Sequence, residues 1–492
     1  MSRTWTERRR EMLTALQAIG AQGRADFEPI DGILRGYYPV PEHLRALDPE
    51  VVLIVGPRGA GKTEIARVLT EAGLAGAVAS HAPSVRFPKG QTDWKKGYPL
   101  GSEGFDVMGL PRFLKEPGIS DPVAELRNLW FAYLVRVLRD ELDAQAKSNL
   151  AQFLSIQGGA VRDNYKAFLD AGEEPVLGLD RLDEELSRQD RFIFVTYDEL
   201  DTLGGGDWNV IGPSIQGLVA FWAAYARRWR RIRAKVFLRT DLYDRHTATG
   251  GADLAKLAAG RVDLSWSDRD LHAMLLKRIA NASPELYKFV SATNSKVEWS
   301  EDTKLGHVPA LNSWRDASPI IERMIGPYMG ADKKKGLVYR WLLDHVRDGR
   351  GRALPRPLVQ LIEEAARIEL RGLHPLREPR LLDPSSLRRA LDRVSEDHVV
   401  HARDEWPWLD SLKEGLKGLL VPWERERDAI RLLEGTAWAE NPPKRPPFEG
   451  RELLEYLIEV GILRRRSDNR IDAPDLFLAG MGLRRKGGVR RR

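Results

Sequence analysis

The 492-residue chain contains no cysteine, which excludes disulfide bonds, cysteine-ligated metals and a catalytic thiol. It also lacks an apolar run of about 18 residues, the length that a membrane-spanning helix needs. Its charged N-terminus is followed by no apolar stretch of the kind found in secretory signals. The sequence motifs of zinc proteases and of α/β-hydrolases are missing as well. We therefore expect a cytoplasmic protein with no membrane segment and no hydrolytic chemistry of these kinds.

Positive and negative charges almost balance, leaving a formal net charge of +6. The length predicts two to four domains. Basic residues nevertheless cluster in one segment and in the C-terminal stretch RRKGGVRRR. Such clusters are typical either of a nucleic-acid surface or of a solvated helix end and a frayed tail, and both interpretations stay open. The segment contains Arg227, Arg228, Arg230, Arg231, Arg233 and Lys235.

The stretch GPRGAGKT, residues 56–63, follows an apolar strand predicted at 51–55 and precedes a helix predicted at 63–72. It matches the phosphate-loop motif, in which glycines let backbone N–H groups point at phosphate oxygens. Lys62 is expected to reach the β- and γ-phosphates of ATP, and the Thr63 hydroxyl to ligate Mg²⁺. The candidate nucleotide-binding residues are Gly56, Pro57, Arg58, Gly59, Ala60, Gly61, Lys62, Thr63 and Glu64.

An acidic strand end appears further along the chain, in RFIFVTYDELD at 191–201. A strand predicted at 192–195 is followed by Asp198 and Glu199, at the edge of a parallel sheet where ligands bind. Asp198 is expected to hold Mg²⁺ through water, and Glu199 to accept a proton from the attacking water. A kinase needs no such glutamate, so the pair favours hydrolysis. For Asp201, we favour a role in capping the next loop.

Two more strands are predicted, at 235–241 and 260–266. The first ends in polar residues, and either Arg239 or Thr240 is expected to sense the γ-phosphate or orient the water. Arg261, just before the second strand, is a candidate arginine finger that acts in a neighbouring subunit. The alternative interpretation of Arg261 is an ordinary surface arginine.

The order of these elements resembles the AAA+ division of P-loop ATPases: phosphate-loop strand, acidic strand, polar-ended strand, and an arginine before the last strand. The phrases FLRTDLYD, RVDLSWSDRDL and GLRRKGGV are similar to the STAND and origin-recognition-like ATPases of bacterial conflict systems. This resemblance implies a five-stranded parallel core followed by a small helical lid. It also implies that Arg356, in PRPL before a predicted lid helix, contacts the γ-phosphate.

The predicted fold class is α/β: a P-loop ATPase parallel-sheet core with a helical lid and a C-terminal winged-helix domain. The segment from 451 to 477 suggests the last domain, since a helix is followed by two short strands with the turn SDN between them. The predicted parts are a helical extension at 1–48, the core at 49–268 with a helical insertion near 121–170, the lid at 269–375, and the winged-helix domain with its basic tail at 376–492.

Two functions fit these features. The first is an ATP-driven molecular switch that forms homo-oligomers and regulates an effector protein encoded as a separate chain, in a bacterial defence or DNA-associated system. The second is a loader or motor that assembles on duplex DNA. For the second, the basic segment at 227–235, interpreted as a helix, the C-terminal tail and the predicted wing would contact the phosphate backbone. The basic side chains of the wing are Arg464, Arg465, Arg466 and Arg470.

Overall fold

The chain divides into two units, which we call the sheet unit (Pro39–Ser265) and the helical unit (Met1–Tyr38 with Trp266–Arg492). The computed structural model describes residues 4–20, 29–70, 74–81, 83–99, 109–116, 119–156, 160–247, 257–372, 375–403, 405–438, 446 and 448–486. Each unit has its own apolar core. Among the helices of these described ranges, none is both long and apolar enough to cross a membrane.

The sheet unit is built on five parallel strands: β1 Leu53–Gly56, β2 Gln91–Tyr98, β3 Arg191–Tyr197, β4 Ile232–Arg239 and β5 Val262–Asp263. Their spatial order is β2-β3-β4-β1-β5. The strands predicted near 51, 192, 235 and 260 are confirmed, with shifted ends, whereas β2 had no sequence signal. β1 and β4 are buried along their whole length, which fits the apolar runs that predicted a parallel sheet.

Helices surround this sheet and include the predicted insertion. Asp121 caps the helix Pro122–Val137 by accepting hydrogen bonds from two backbone N–H groups, and Pro122 occupies its first turn, as expected. The insertion continues to Arg188 as a series of helices. The helices of the unit are Pro41–Leu44, Lys62–Thr70, Leu74–Ala79, Leu110–Phe113, Pro122–Val137, Ala144–Asn149, Ala151–Ser155, Val161–Asp170, Glu174–Arg188, Trp208–Tyr225 and Thr240–Thr247, with 3₁₀ turns at Arg45–Leu47 and Leu200–Gly206.

The interpretation as a solvated helix end fits only the first part of the basic segment at 227–235, where Arg227, Arg228 and Arg230 are exposed just after a helix. The helix Trp208–Tyr225 ends before it, and β4 begins within it, because its alternate apolar residues pair with β1 and β3 in the middle of the sheet. Most of its cations have partners within the unit. Arg228 pairs with Asp180, Arg231 with Asp190 and Arg233 with Glu50. Lys235 is fully buried and donates hydrogen bonds to the carbonyls of Asp48 and Val51.

The helical unit begins with the N-terminal helix, Trp5–Leu16, which packs on the helix Pro355–Gly372. Arg9 and Glu369 form a buried ion pair of 2.5 Å between them. The helices of the unit are Trp5–Leu16, Ile30–Gly36, Asp268–Ala282, Pro284–Ser291, Ser318–Ile325, Val338–Asp344, Pro355–Gly372, Pro384–Ala402, Leu409–Leu416, Glu426–Glu434, Gly450–Glu459 and Asp475–Leu478, with 3₁₀ turns at Trp314–Ala317 and Lys333–Lys335.

The last part of this unit has the winged-helix order: three helices with a short strand after the first, followed by a β-hairpin. The hairpin pairs β9, Arg464–Arg465, with β10, Ile471–Asp472, in antiparallel register. Trp423, which follows the first short strand, forms a bridge to Ile471. The predicted helix, strand, turn and strand are thereby confirmed. The division of the unit at 375 into lid and winged-helix domain stays a prediction. Its strands are β6 Glu298–Asp302, β7 Gly306–Ala310, β8 Leu420–Val421, β9 Arg464–Arg465, β10 Ile471–Asp472 and β11 Arg484–Arg485.

Candidate nucleotide-binding site

The loop from Gly56 to Gly61 joins β1 to the helix Lys62–Thr70 at the carboxyl edge of the sheet. Gly59 and Gly61 have φ values of +83° and +97°, a region that other residues rarely adopt. A side chain at Gly56 would lie 3.0 Å from Leu264, so close packing also requires glycine there. The loop therefore has the backbone shape and the helix N-terminus that hold phosphate groups.

Lys62 folds back over this loop. Its ammonium donates hydrogen bonds to the carbonyl oxygens of Gly56, at 2.8 Å, and Pro57, at 2.9 Å, which leaves one of its three N–H donors. Removal from water lowers the pKa of Lys62 to about 8, although the negative charge of Asp198 opposes this fall. The ammonium is thus held beside the loop with its charge poorly solvated, and an anion there would stabilise it.

Asp198 lies directly after β3 and is only 8% exposed. Its backbone N–H donates to the carbonyl of Tyr98 at the end of β2, and its carboxylate accepts a hydrogen bond from the Thr63 hydroxyl. Burial raises the pKa of Asp198 in spite of this bond and of the nearby Lys62 charge. A hydroxyl and a buried carboxylate in contact are hard oxygen donors that suit Mg²⁺, which would also relieve the cost of burying the charge.

Glu199 has a backbone conformation that is rare for a residue with a side chain, with φ +54° and ψ +30°. Such a residue costs about 1–3 kcal/mol and persists only where surrounding contacts hold it. Here its carbonyl accepts hydrogen bonds from the N–H and the hydroxyl of Thr202, and that hydroxyl also bonds to the hydroxyl of Tyr98. Because of this conformation, the chain turns sharply immediately after Asp198, at the edge of the sheet where the phosphate loop lies.

Arg239, at the end of β4, lies between two carboxylates and is only 7% exposed. Its guanidinium donates to Asp201 at 2.9 Å and, through two N–H groups, to Asp241 at 2.9 and 3.1 Å. These three charges also act on the pKa of Lys62, so the group lies close to the phosphate loop. We call it the Arg239 clamp. It links the segment that follows Glu199 to the end of the neighbouring strand.

The remaining predicted residues lie in different places. Thr240 begins the helix Thr240–Thr247, next to the Arg239 clamp. Arg261 precedes β5 and, by register, lies level with Leu53, toward the amino end of β1 and away from the loop. It pairs with Asp263 and stacks on Tyr243. Arg356 belongs to the helical unit, as the second residue of the helix Pro355–Gly372.

Sequence reasoning missed the Arg239 clamp and the contact between Tyr98 and Thr202. Opposite charges at the ends of two strands could have suggested the clamp, once those strands were known to be neighbours. The sequence predicts that Asp201 caps the next loop, and in the structure it is an ion-pair partner of Arg239. Tyr98 carries no signal in the sequence, because its strand, β2, contains no apolar run.

The fold and the loop define the class of protein: an α/β P-loop fold with a five-stranded parallel core and a C-terminal winged helix. No protein-family model matches the chain, and no curated protein sequence does. Two solved structures are similar. The Aeropyrum pernix ORC2 protein in ADPNP–ADP complexes has 12% sequence identity, with 89% of this chain and 92% of that chain covered and a TM-score of 0.30. Cdc6p from Pyrobaculum aerophilum has 13% sequence identity, with 96% of this chain and 92% of that chain covered and a TM-score of 0.26. Since both TM-scores are low, neither likeness carries an argument about function.

Proposed function

We propose that the chain is a Mg²⁺-dependent ATPase of AAA+ type, in which ATP binding and hydrolysis set a molecular switch. One observation carries this proposal: the Thr63 hydroxyl meets the buried Asp198 carboxylate beside the Lys62 ammonium, at the edge of the sheet where the phosphate loop ends. Phosphate binding, metal binding and charge neutralisation are the three requirements of a nucleoside triphosphate site. When bound, Mg²⁺ would neutralise charge on the phosphate oxygens.

Within this proposal each side chain has a separate task. The loop N–H groups and Lys62 bind phosphate oxygens, while Thr63 and Asp198 hold the metal. Glu199 accepts a proton from water at its carboxylate. The Arg239 clamp positions Glu199, because it fixes Asp201 two residues further along, and this leaves Thr240 as the strand-end sensor.

We further propose that the protein acts as a cytoplasmic homo-oligomer, in which Arg261 of one copy completes the site of another. Its position away from the loop of its own chain and its partial exposure support an action between subunits. Arg356, the predicted lid arginine, would contact the γ-phosphate. An effector protein, in a bacterial defence or DNA-associated system, would then respond to the ATP-bound state.

The charges of the winged helix favour a protein partner over DNA. The exposed side chains of its third helix, Gly450–Glu459, are one arginine and three glutamates, a poor match for a phosphate backbone. The wing arginines, moreover, are engaged within the unit: Arg464 pairs with Asp472, Arg465 with Glu426 and Glu455, Arg466 with Asp468 and Asp472, and Arg470 with Asp468 and Glu424.

A loader on duplex DNA is the second candidate, because winged-helix modules include many that place a helix in the major groove. Steady-state ATP hydrolysis separates the two candidates. For the switch, we expect Mg²⁺-dependent hydrolysis that duplex DNA does not change. For the loader, DNA would stimulate hydrolysis at about 50 mM salt, and most of the stimulation would be lost at about 200 mM. The Lys62→Ala variant, which should not bind ATP, measures contaminating activity; hydrolysis equal to that background would refute the proposed function.

The Lys62 pKa predicts how nucleotide affinity depends on pH. The charged ammonium binds phosphates, and in the free site it loses its proton near pH 8. Binding above that pH must therefore take up a proton, so the affinity should fall about tenfold between pH 7 and pH 9. Titration with a fluorescent ATP analogue measures this fall. Calorimetry in buffers of different ionisation enthalpy should show the proton uptake at pH 9 but not at pH 7, and an affinity that stays flat over this range would contradict the assignment.

A further inference from the structure

The helical unit contains a cleft of about 300 Å³ that is lined by arginines, on the paired helices Pro355–Gly372 and Pro384–Ala402. This volume is at the lower end of the range of small-molecule sites. We call it the arginine cleft. Its lining residues are Glu364, Ile368, Arg371, Gly372, Arg389 and Arg393.

Arginines occur in pairs four residues apart on both helices, Arg367 with Arg371 and Arg389 with Arg393. Residues at this spacing lie on the same face of a helix, where like charges repel and destabilise it. Folding alone gives no reason to line one cleft with three guanidinium groups, those of Arg371, Arg389 and Arg393. A negatively charged ligand would turn this repulsion into a favourable interaction.

The cleft has one carboxylate to balance these charges. Glu364 is 7% exposed, and one of its oxygens accepts from Arg367, while Arg393 lies 3.6 Å from the other. That second oxygen is buried without a hydrogen-bond partner. Across the residues that the structure describes, Arg371 and Arg389 form no ion pair, and both are exposed. The cleft thus combines unneutralised guanidinium groups with a buried acceptor that has no donor.

We propose that the arginine cleft binds a small ligand that carries a diphosphate or triphosphate group. Guanidinium groups bind phosphate oxygens through two parallel N–H bonds, and Arg371, Arg389 and Arg393 approach the cleft from two helices. The unpartnered oxygen of Glu364 would accept a hydrogen bond from an N–H or O–H group of the same ligand. This site is separate from the phosphate loop and does not depend on the proposed ATPase activity.

The test uses the full chain with Lys62→Ala, so that the phosphate loop does not contribute, and tripolyphosphate as the probe in calorimetry. Arg371→Ala with Arg389→Ala should weaken binding at least about tenfold, since two charge-assisted contacts are lost. Arg431→Ala, an exposed arginine on another helix of the same unit, is the matched control and should bind as its parent does. Glu364→Gln should strengthen binding, because it removes the negative charge but keeps the shape.

The opposite signs of these effects separate a ligand site from a merely structural cluster. Melting curves check that each variant is folded. The double variant Arg371→Lys with Arg389→Lys keeps the charge but loses the bidentate contact, so it should bind tripolyphosphate with intermediate affinity. The proposal is overturned if tripolyphosphate does not bind at physiological salt, or if the arginine variants bind like Arg431→Ala. It is also overturned if a 20-base-pair duplex binds through the same arginines and tripolyphosphate does not displace it, because the site would then belong to nucleic acid.

Discussion

Glu199→Gln is expected to lower the rate of ATP hydrolysis about a thousandfold, with unchanged affinity for ATP. Glutamine has nearly the same size and leaves the carbonyl that accepts from Thr202 in place, so the strained turn should persist. The amide cannot accept a proton from water, and only the chemical step should suffer. Single-turnover hydrolysis and equilibrium binding of ATP, measured on the same preparation, give the two quantities.

The matched control for this variant is Glu184→Gln. Glu184 is an exposed glutamate of the same unit, in the helix Glu174–Arg188 that precedes β3. It makes the same change of charge and should hydrolyse ATP at the normal rate. Normal hydrolysis by Glu199→Gln would show that another group activates the water. Loss of ATP binding would instead show that Glu199 supports the shape of the site.

Arg239→Ala is expected to lower both hydrolysis and stability. The change leaves Asp201 and Asp241 without their shared cation near the Asp198 carboxylate, and breaking such a partly buried pair costs about 2 kcal/mol. With the segment after Glu199 released, the rate of hydrolysis should fall by about a hundredfold, as for a misplaced catalytic group. Urea unfolding and steady-state hydrolysis measure the two effects.

Two comparisons decide what Arg239 does. If Arg239 senses the γ-phosphate, its removal should lower the affinity for ATP but not for ADP. If Arg239 only positions Glu199, its removal should leave the ratio of the two affinities unchanged. Adding Asp201→Asn should restore part of the lost stability, because the repulsion between carboxylates is relieved and the two changes are not additive. Arg228→Ala, which removes an exposed pair with Asp180, is the control and should cost less than about 1 kcal/mol without affecting hydrolysis.

Much of the phosphate site could be predicted because its parts are local. A glycine loop between an apolar strand and a helix depends on neighbours in sequence, and so do the acidic residues that directly follow β3. The winged-helix hairpin was predictable for the same reason. The strand β2, in contrast, has the mixed sequence QTDWKKGY and carries no apolar run, so its place in the sheet comes only from its pairing with β3.

The basic segment shows the opposite limit. In the sequence its arginines resemble a surface feature, yet β4 begins within it, and its cations find partners that lie 41 to 187 residues away along the chain. The wing arginines behave in the same way, with glutamates and aspartates of the same unit around them. The number of positive charges in a sequence segment therefore overestimates how many of them are available to bind a partner.

The sequence by itself determined the phosphate loop, the acidic strand end and the periodic helices, because each depends on side chains within a few residues of one another. Only the tertiary structure decided which strands are neighbours and which charges are neutralised. It thereby brought Thr63 to Asp198, closed the Arg239 clamp and assembled the arginine cleft. The physical reason is that an ion pair or a sheet register depends on distances in space, which chain separation does not encode.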